Sequence, residues 1–168
     1  MQAQLQVQTL LQQIRGNSVA LISLMTAVIA LSYNTWRNET TESQRNIRQA
    51  SFRVLESLGE LQEVADYRYY YFPYETNQNG VGQSGEGELR LRGYGSVTMV
   101  RDLMNLMPPP APTASDELFQ LWNMHVNSLA ELNEQGRHTE EAKAAENELA
   151  AAIKNAREAV IEVLIELD

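Results

Sequence analysis

The run from Gly16 to Trp36, GNSVALISLMTAVIALSYNTW, limits what this chain can fold into more than any other feature: it lies between Arg15 and Arg37 and carries no formally charged side chain. As a helix its 21 residues extend about 31 Å, close to the hydrocarbon thickness of a bilayer. Tyr33 and Trp36 stand at its C-terminal end, with Arg37 next, and all three are residue types that settle at a membrane–water boundary. The run predicts one membrane-spanning helix over residues 16–36. A buried helix of a soluble bundle and a cleaved secretion signal are the alternatives, because Ser23, Thr26 and Ser32 dilute the hydrophobicity. A signal would begin basic and end on small residues, whereas MQAQLQVQTLLQQIR has one late Arg and the run leads into Tyr33 and Trp36.

Ser23 with Ala27, and Thr26 with Ala30, have the four-residue spacing of small side chains that lets two membrane helices approach. Ahead of the span, Val7, Leu10, Leu11 and Ile14 share a helical face, so residues 1–15 read as a tail forming a short interfacial helix.

About 130 residues follow the span, enough for one domain with a modest core. Hydrophobic residues at 43% and charged residues at 21% are ordinary for a folded chain. The net charge of −9 opposes binding to phosphate backbones, so no nucleic-acid partner is expected. The absence of cysteine excludes disulfides, thiolate metal sites and a thiol nucleophile.

Beyond Trp36 nothing breaks a helix before Gly59, and Ile47, Val54, Leu58, Leu61 and Ala65 keep the three-four spacing of a coiled-coil-like seam. The span and the first helix of the following domain are therefore expected to form one rod. Residues 76–87, TNQNGVGQSGEG, read as a flexible loop. A second helix over 87–107 carries Val97, Val100, Met104 and Met107 on one face, with Gly93 and Gly95 predicted to delay its start to about Tyr94; Met99 is assigned to the core with Met104 and Met107. PPPAP at 108–112 stops it, and Thr113 with Asp116 approximates a capping box for a third helix. That helix shows Leu118, Trp122, His125, Leu129 and Leu132 at heptad spacing and is expected to end near Gly136. A fourth, from about Thr139, aligns Ala142, Ala145, Leu149, Ile153, Ala156, Val160, Val163 and Leu167. The expected fold is all-α: an N-terminal transmembrane helix continuing into a small up-and-down helical bundle over residues 37–168.

Two clusters stand out as candidate interaction sites. In YRYYYFPYE, Tyr67, Tyr69, Tyr70, Tyr71, Phe72 and Tyr74 fall within eight residues, and Pro73 ends the helix. Such rings cover the end of a core, or offer a partner large area at small entropic cost. Glu158, Glu162 and Glu166 recur every four residues toward the end of the last helix, where like charges repel and the helix dipole favours cations. Solubility explains such a row, and a basic partner or bound cation would relieve it.

Catalytic patterns are missing. Gly80-x-Gly82-x-x-Gly85 has the spacing of a dinucleotide fingerprint but no strand before it and no βαβ unit around it. There is no HExxH and no Glu-x-x-His pair; His125 lies on an apolar seam beside Trp122, and His138 sits in a turn where capping or solvation suffices. No cofactor, metal site or enzymatic activity is expected. In layout the chain, through SYNTWRNETTESQRNIRQASFRVL followed by GYGSVTMVRDLMNLMP, resembles uncharacterised short bacterial membrane proteins that pair one N-terminal span with a helical domain. The resemblance implies the bacterial inner membrane and no particular activity. The expected function is a membrane-anchored interaction or assembly module whose partners are the bilayer and another protein or a second copy. A ligand-sensing bundle working with a separate output subunit is the alternative. Arg37, Arg45, Arg48 and Arg53 after the span, against Arg15 before it, favour a cytoplasmic C-terminal domain; a periplasmic one is the alternative.

Overall fold

The computed structural model describes residues 16–71 and 82–167, with side chains described at 16–71 and 87–167. Helix α1 runs Ser18–Asp66 and passes into a π-helical turn, Tyr67–Tyr71; α2 is Gly82–Met104, α3 Ala111–His125 and α4 Glu140–Glu166, with a 3₁₀ turn at Ser128–Ala130. Among the described residues there is no strand, only an isolated antiparallel bridge between Leu132 and His138. The protein is all-α, with one long apolar N-terminal helix leading into a helical bundle.

The chain divides into two compact units, Met1–Gln44 and Arg45–Asp168. In the first, α1 presents a segment long and apolar enough to cross a membrane, and none of that apolar window is buried. Ile22, Met25, Val28, Ile29 and Leu31 are 55–69% exposed. The Thr26 hydroxyl donates back to the Ile22 carbonyl at 2.9 Å, so the helix satisfies this polar group by itself. Tyr33 and Trp36 lie with ring centroids 6.2 Å apart, both exposed, beside exposed Arg37. The predicted tail, residues 1–15, lies outside the described residues.

The second unit is a four-layered seam of helices whose register can be read from cross-contacts. Glu60 accepts from Ser96 at 3.2 Å and Glu63 pairs with Arg92 at 3.7 Å, whereas Ser51 reaches the Met107 sulfur at 3.9 Å, so α2 descends along α1. Arg101 pairs with Asp116 at 2.8 Å while Gly93 packs on Trp122, so α3 ascends again. His125 Nε2 meets Glu148 at 2.8 Å, and Arg48 Nη2 donates to the Leu167 carbonyl at 3.1 Å, which returns α4 to the start of the bundle. This is up-and-down connectivity. Its core joins Val54, Leu58, Leu61, Val97, Val100, Met104, Leu118, Trp122, Leu129, Leu149, Ile153, Ala156 and Val160, each at most 1% exposed. The seams of α1 and α4 thus lie where their spacing predicts, with Ile47 at the margin and Leu167 half-buried.

Several local expectations are corrected. The compact unit that holds the bundle starts at Arg45, and the side chains of residues 37–43 before it are exposed. Residues 82–87 belong to α2, not to a loop, and the helix does not wait for Tyr94. Gly93 is there for close approach: a Cβ would collide with the Trp122 ring and sit 3.2 Å from Val64 Cγ1. Met99 is 41% exposed, since two residues beyond buried Val97 is nearly the opposite side of a helix. Helix α3 starts earlier than the proline run suggests, with Pro112 in its first turn, where a missing N–H costs nothing. No capping box forms at Thr113; Asp116 turns to Arg101 instead. The same helix ends at His125, not near Gly136. The chain then folds back over Leu132–His138, with the Asn133 side chain accepting from the N–H groups of Gln135 and Arg137 at 3.0 Å each and Gly136 at φ 72°. Thr139 caps α4 by accepting from Ala142 N–H at 3.0 Å.

Candidate functional site

The tyrosine run is a functional candidate because of how α1 ends. Five residues, Tyr67–Tyr71, widen into a π turn, a rare form that is frequent at functional sites. Its inward residue is Arg68, 2% exposed, whose Nε donates to the Val126 carbonyl at 3.1 Å. That carbonyl lies just past the end of α3, so the guanidinium ties the end of α1 to the α3 terminus and places positive charge at a helix C-terminus. Burying an arginine is costly unless it is hydrogen-bonded, and this bond fixes the turn in one orientation.

With Arg68 inward, the tyrosines are arrayed around the remaining faces of the turn. Tyr69 lies flat on the His138 ring at 4.0 Å and 14°, packing against the core margin. Tyr70 meets Tyr69 edge-on at 4.8 Å, and Tyr67 stacks with Tyr71 at 5.8 Å. Tyr70 and Tyr71 remain 52% and 62% exposed. Tyr69 thus covers the core margin, as the first reading expects, while Tyr70 and Tyr71 are left exposed. Phe72 and Tyr74 lie outside the described residues.

The charged groups acting on Tyr70 are carboxylates, while Lys143, with Arg137 near it, lies on the Tyr69 side. The carboxylate of Glu146 on α4, with smaller contributions from desolvation, Tyr69 and Asp66, pushes the Tyr70 phenol above its ordinary range. Asp66 is held by a 2.7 Å bond from Gln62. Lys143 is likewise raised, by its hydrogen bond to Glu140, and serves that neighbour on the same helix.

Glu158, Glu162 and Glu166 are all exposed on α4, away from the tyrosines. Glu158 has Lys154 at 3.8 Å, and the dipole conflict at the helix end is met within the chain by Arg48 at the Leu167 carbonyl. The structure does not bring the tyrosine and glutamate clusters together. His125 is engaged by Glu148, and among the described residues no group of three His, Cys, Asp or Glu side chains could hold a metal ion. Arg68 and Glu146 are not among the sequence candidates, and Arg48 figures there only in the charge bias around the span. Arg68 had a usable signal: it continues the 54, 58, 61, 65 seam by a further three residues, which marks it as inward. Compared with protein-family models, curated proteins and solved structures, the chain matches none.

Proposed function

We propose that the protein is a single-pass membrane-anchored interaction module without catalytic activity, whose bundle offers its π-turn tyrosines to another protein. The observation that carries the reading is the contrast between its two units. The bundle buries its own seams to near-zero exposure, while the apolar side chains of α1 before Tyr33 stay exposed and match a bilayer in length. The bundle's outer tyrosines, Tyr70 and Tyr71, are exposed aromatic area mounted on a pinned turn, the kind of rigid surface that partners use as anchors. We place the protein in the bacterial inner membrane with the bundle in the cytoplasm, on the excess of arginine after the span.

A photo-cross-linking residue at position 71 tests the contact in cells. A discrete adduct is expected from Tyr71 and not from the exposed control Asn155; no adduct, or equal adducts from both, refutes the reading. C-terminal fusions test orientation: fluorescence from a cytoplasm-only reporter is expected. A strong signal from a periplasm-only reporter overturns the placement and favours an extracytoplasmic sensor.

A further inference from the structure

We infer that the outer face of Tyr70 and Tyr71 receives an arginine-bearing segment of a partner protein. The inference rests on the interaction reading above and adds the chemistry of the partner. Both residues are more than half exposed, and each ring meets a second one, Tyr70 with Tyr69 edge-on at 4.8 Å and Tyr71 with Tyr67 stacked at 5.8 Å. Aromatic faces attract cations, and the planar guanidinium stacks on them better than an ammonium. The charged groups acting on Tyr70 are carboxylates, Asp66 one turn before it and Glu146 on α4, whereas Lys143 lies on the Tyr69 side and is engaged by Glu140 at 2.7 Å.

The chain already fills one site of this composition by itself. Between α2 and α3, the Arg101 guanidinium lies 4.5 Å from the Phe119 ring centroid while its Nε donates to Asp116 at 2.8 Å. Ring face, carboxylate and guanidinium satisfy one another there. At Tyr70 the chain supplies the ring and the carboxylates, and the partner's arginine completes the set.

Charge selects among occupants. Residues 1–44 hold two basic and two acidic side chains, so the net charge of −9 lies wholly in residues 45–168. A second copy brings the same acidic bundle and an anionic lipid surface brings more negative charge, so both are repelled while a cationic segment is drawn in.

The full chain, labelled with 3-fluorotyrosine and held in phosphatidylcholine nanodiscs, provides the test. Fluorine signals of positions 70 and 71 are assigned with Tyr70→Phe and Tyr71→Phe. The probes are capped peptides Gly-Arg-Gly-Arg-Gly and its Lys and Glu counterparts. The Arg peptide should shift both signals saturably in roughly the millimolar range of a few exposed contacts. The Glu146→Gln variant should weaken that response about threefold, the size of one exposed charge interaction. The Lys peptide, which keeps the charge but loses planar stacking, should also respond more weakly than the Arg peptide; an equal Lys response overturns the choice of arginine. The Glu peptide should do nothing. Equal shifts with the Glu peptide, an unchanged titration in Glu146→Gln with its helicity intact, or no shift at about tenfold higher peptide overturns the inference. So do shifts produced by anionic lipid alone or by raising protein concentration, which assign the face to headgroups or to a second copy. A lost peptide response with the position-71 cross-link retained removes only the cationic chemistry and leaves the interaction reading standing.

Discussion

Gly93 and Gly95 stand two residues apart in α2, and replacing each with alanine should shift stability in opposite directions. Helix propensity alone favours alanine at both positions by about 0.8–1 kcal/mol. At Gly95 an added Cβ meets nothing within 4 Å, so Gly95→Ala should stabilise the bundle by about 0.5–1 kcal/mol. At Gly93 the new Cβ runs into the Trp122 Cζ2 atom, with Val64 Cγ1 a further 3.2 Å neighbour. Trp122 cannot retreat, because it is fully buried and meets Tyr94 edge-on at 6.5 Å. Its indole nitrogen has no hydrogen-bond partner among the described residues, so packing alone holds the ring. Overpacking of this kind costs about 1–3 kcal/mol, and a collision with a fixed ring belongs at the upper end. Subtracting the propensity gain leaves Gly93→Ala about 2 kcal/mol less stable than wild type, and the two variants about 3 kcal/mol apart. For a bundle of this size that is a melting-temperature difference of roughly 10 °C. Thermal unfolding of the full chain in mild detergent, followed by circular dichroism at 222 nm, measures it. A Gly93→Ala protein as stable as wild type would show that α2 does not press against Trp122 and would refute the reasoning.

Val28→Arg puts a charge in the middle of the predicted span at about 2.5–3.5 kcal/mol, so a large share of the protein should leave the carbonate-washed membrane pellet; wild type that is itself extracted without detergent refutes the anchor. Leu129→Asp buries an unpaired carboxylate at a fully buried site, a loss of several kcal/mol that should abolish cooperative unfolding of the bundle, and a sharp wild-type-like transition would contradict the core assignment. Because folding raises the Tyr70 pKa, the neutral phenol is favoured in the folded state: stability is intact below the unfolded value near 10 and falls as pH rises through the raised folded value. Glu146→Gln should move that ionisation back toward 10 when followed by absorbance at 295 nm, and an unchanged titration curve would remove Glu146 as the cause.

What the sequence determined by itself is periodic or uninterrupted. The run 16–36, the α1 seam through Leu61 and the α4 seam through Val163 were legible because burial in a helix bundle repeats every three or four residues, and one strand of text contains that repeat. The tyrosine run could be located the same way, as could the Thr139 start of α4. The division of labour within the run could not. Tyr69 and Tyr70 are adjacent and chemically identical; only the position of His138, brought over by the Leu132–His138 turn, makes one a core cover and leaves the other exposed. Gly93 and Gly95 likewise look alike as letters, and only Trp122 from another helix distinguishes a required glycine from a tolerated one. Asp116 reads as a cap until Arg101 is placed beside it, and the glutamates at the end of α4 read as an unrelieved conflict until Arg48 reaches the Leu167 carbonyl. Each of these was decided by residues at least 15 positions away in the chain or on another helix. Pairings across that separation have no periodic signature, so they exist only once the bundle has closed.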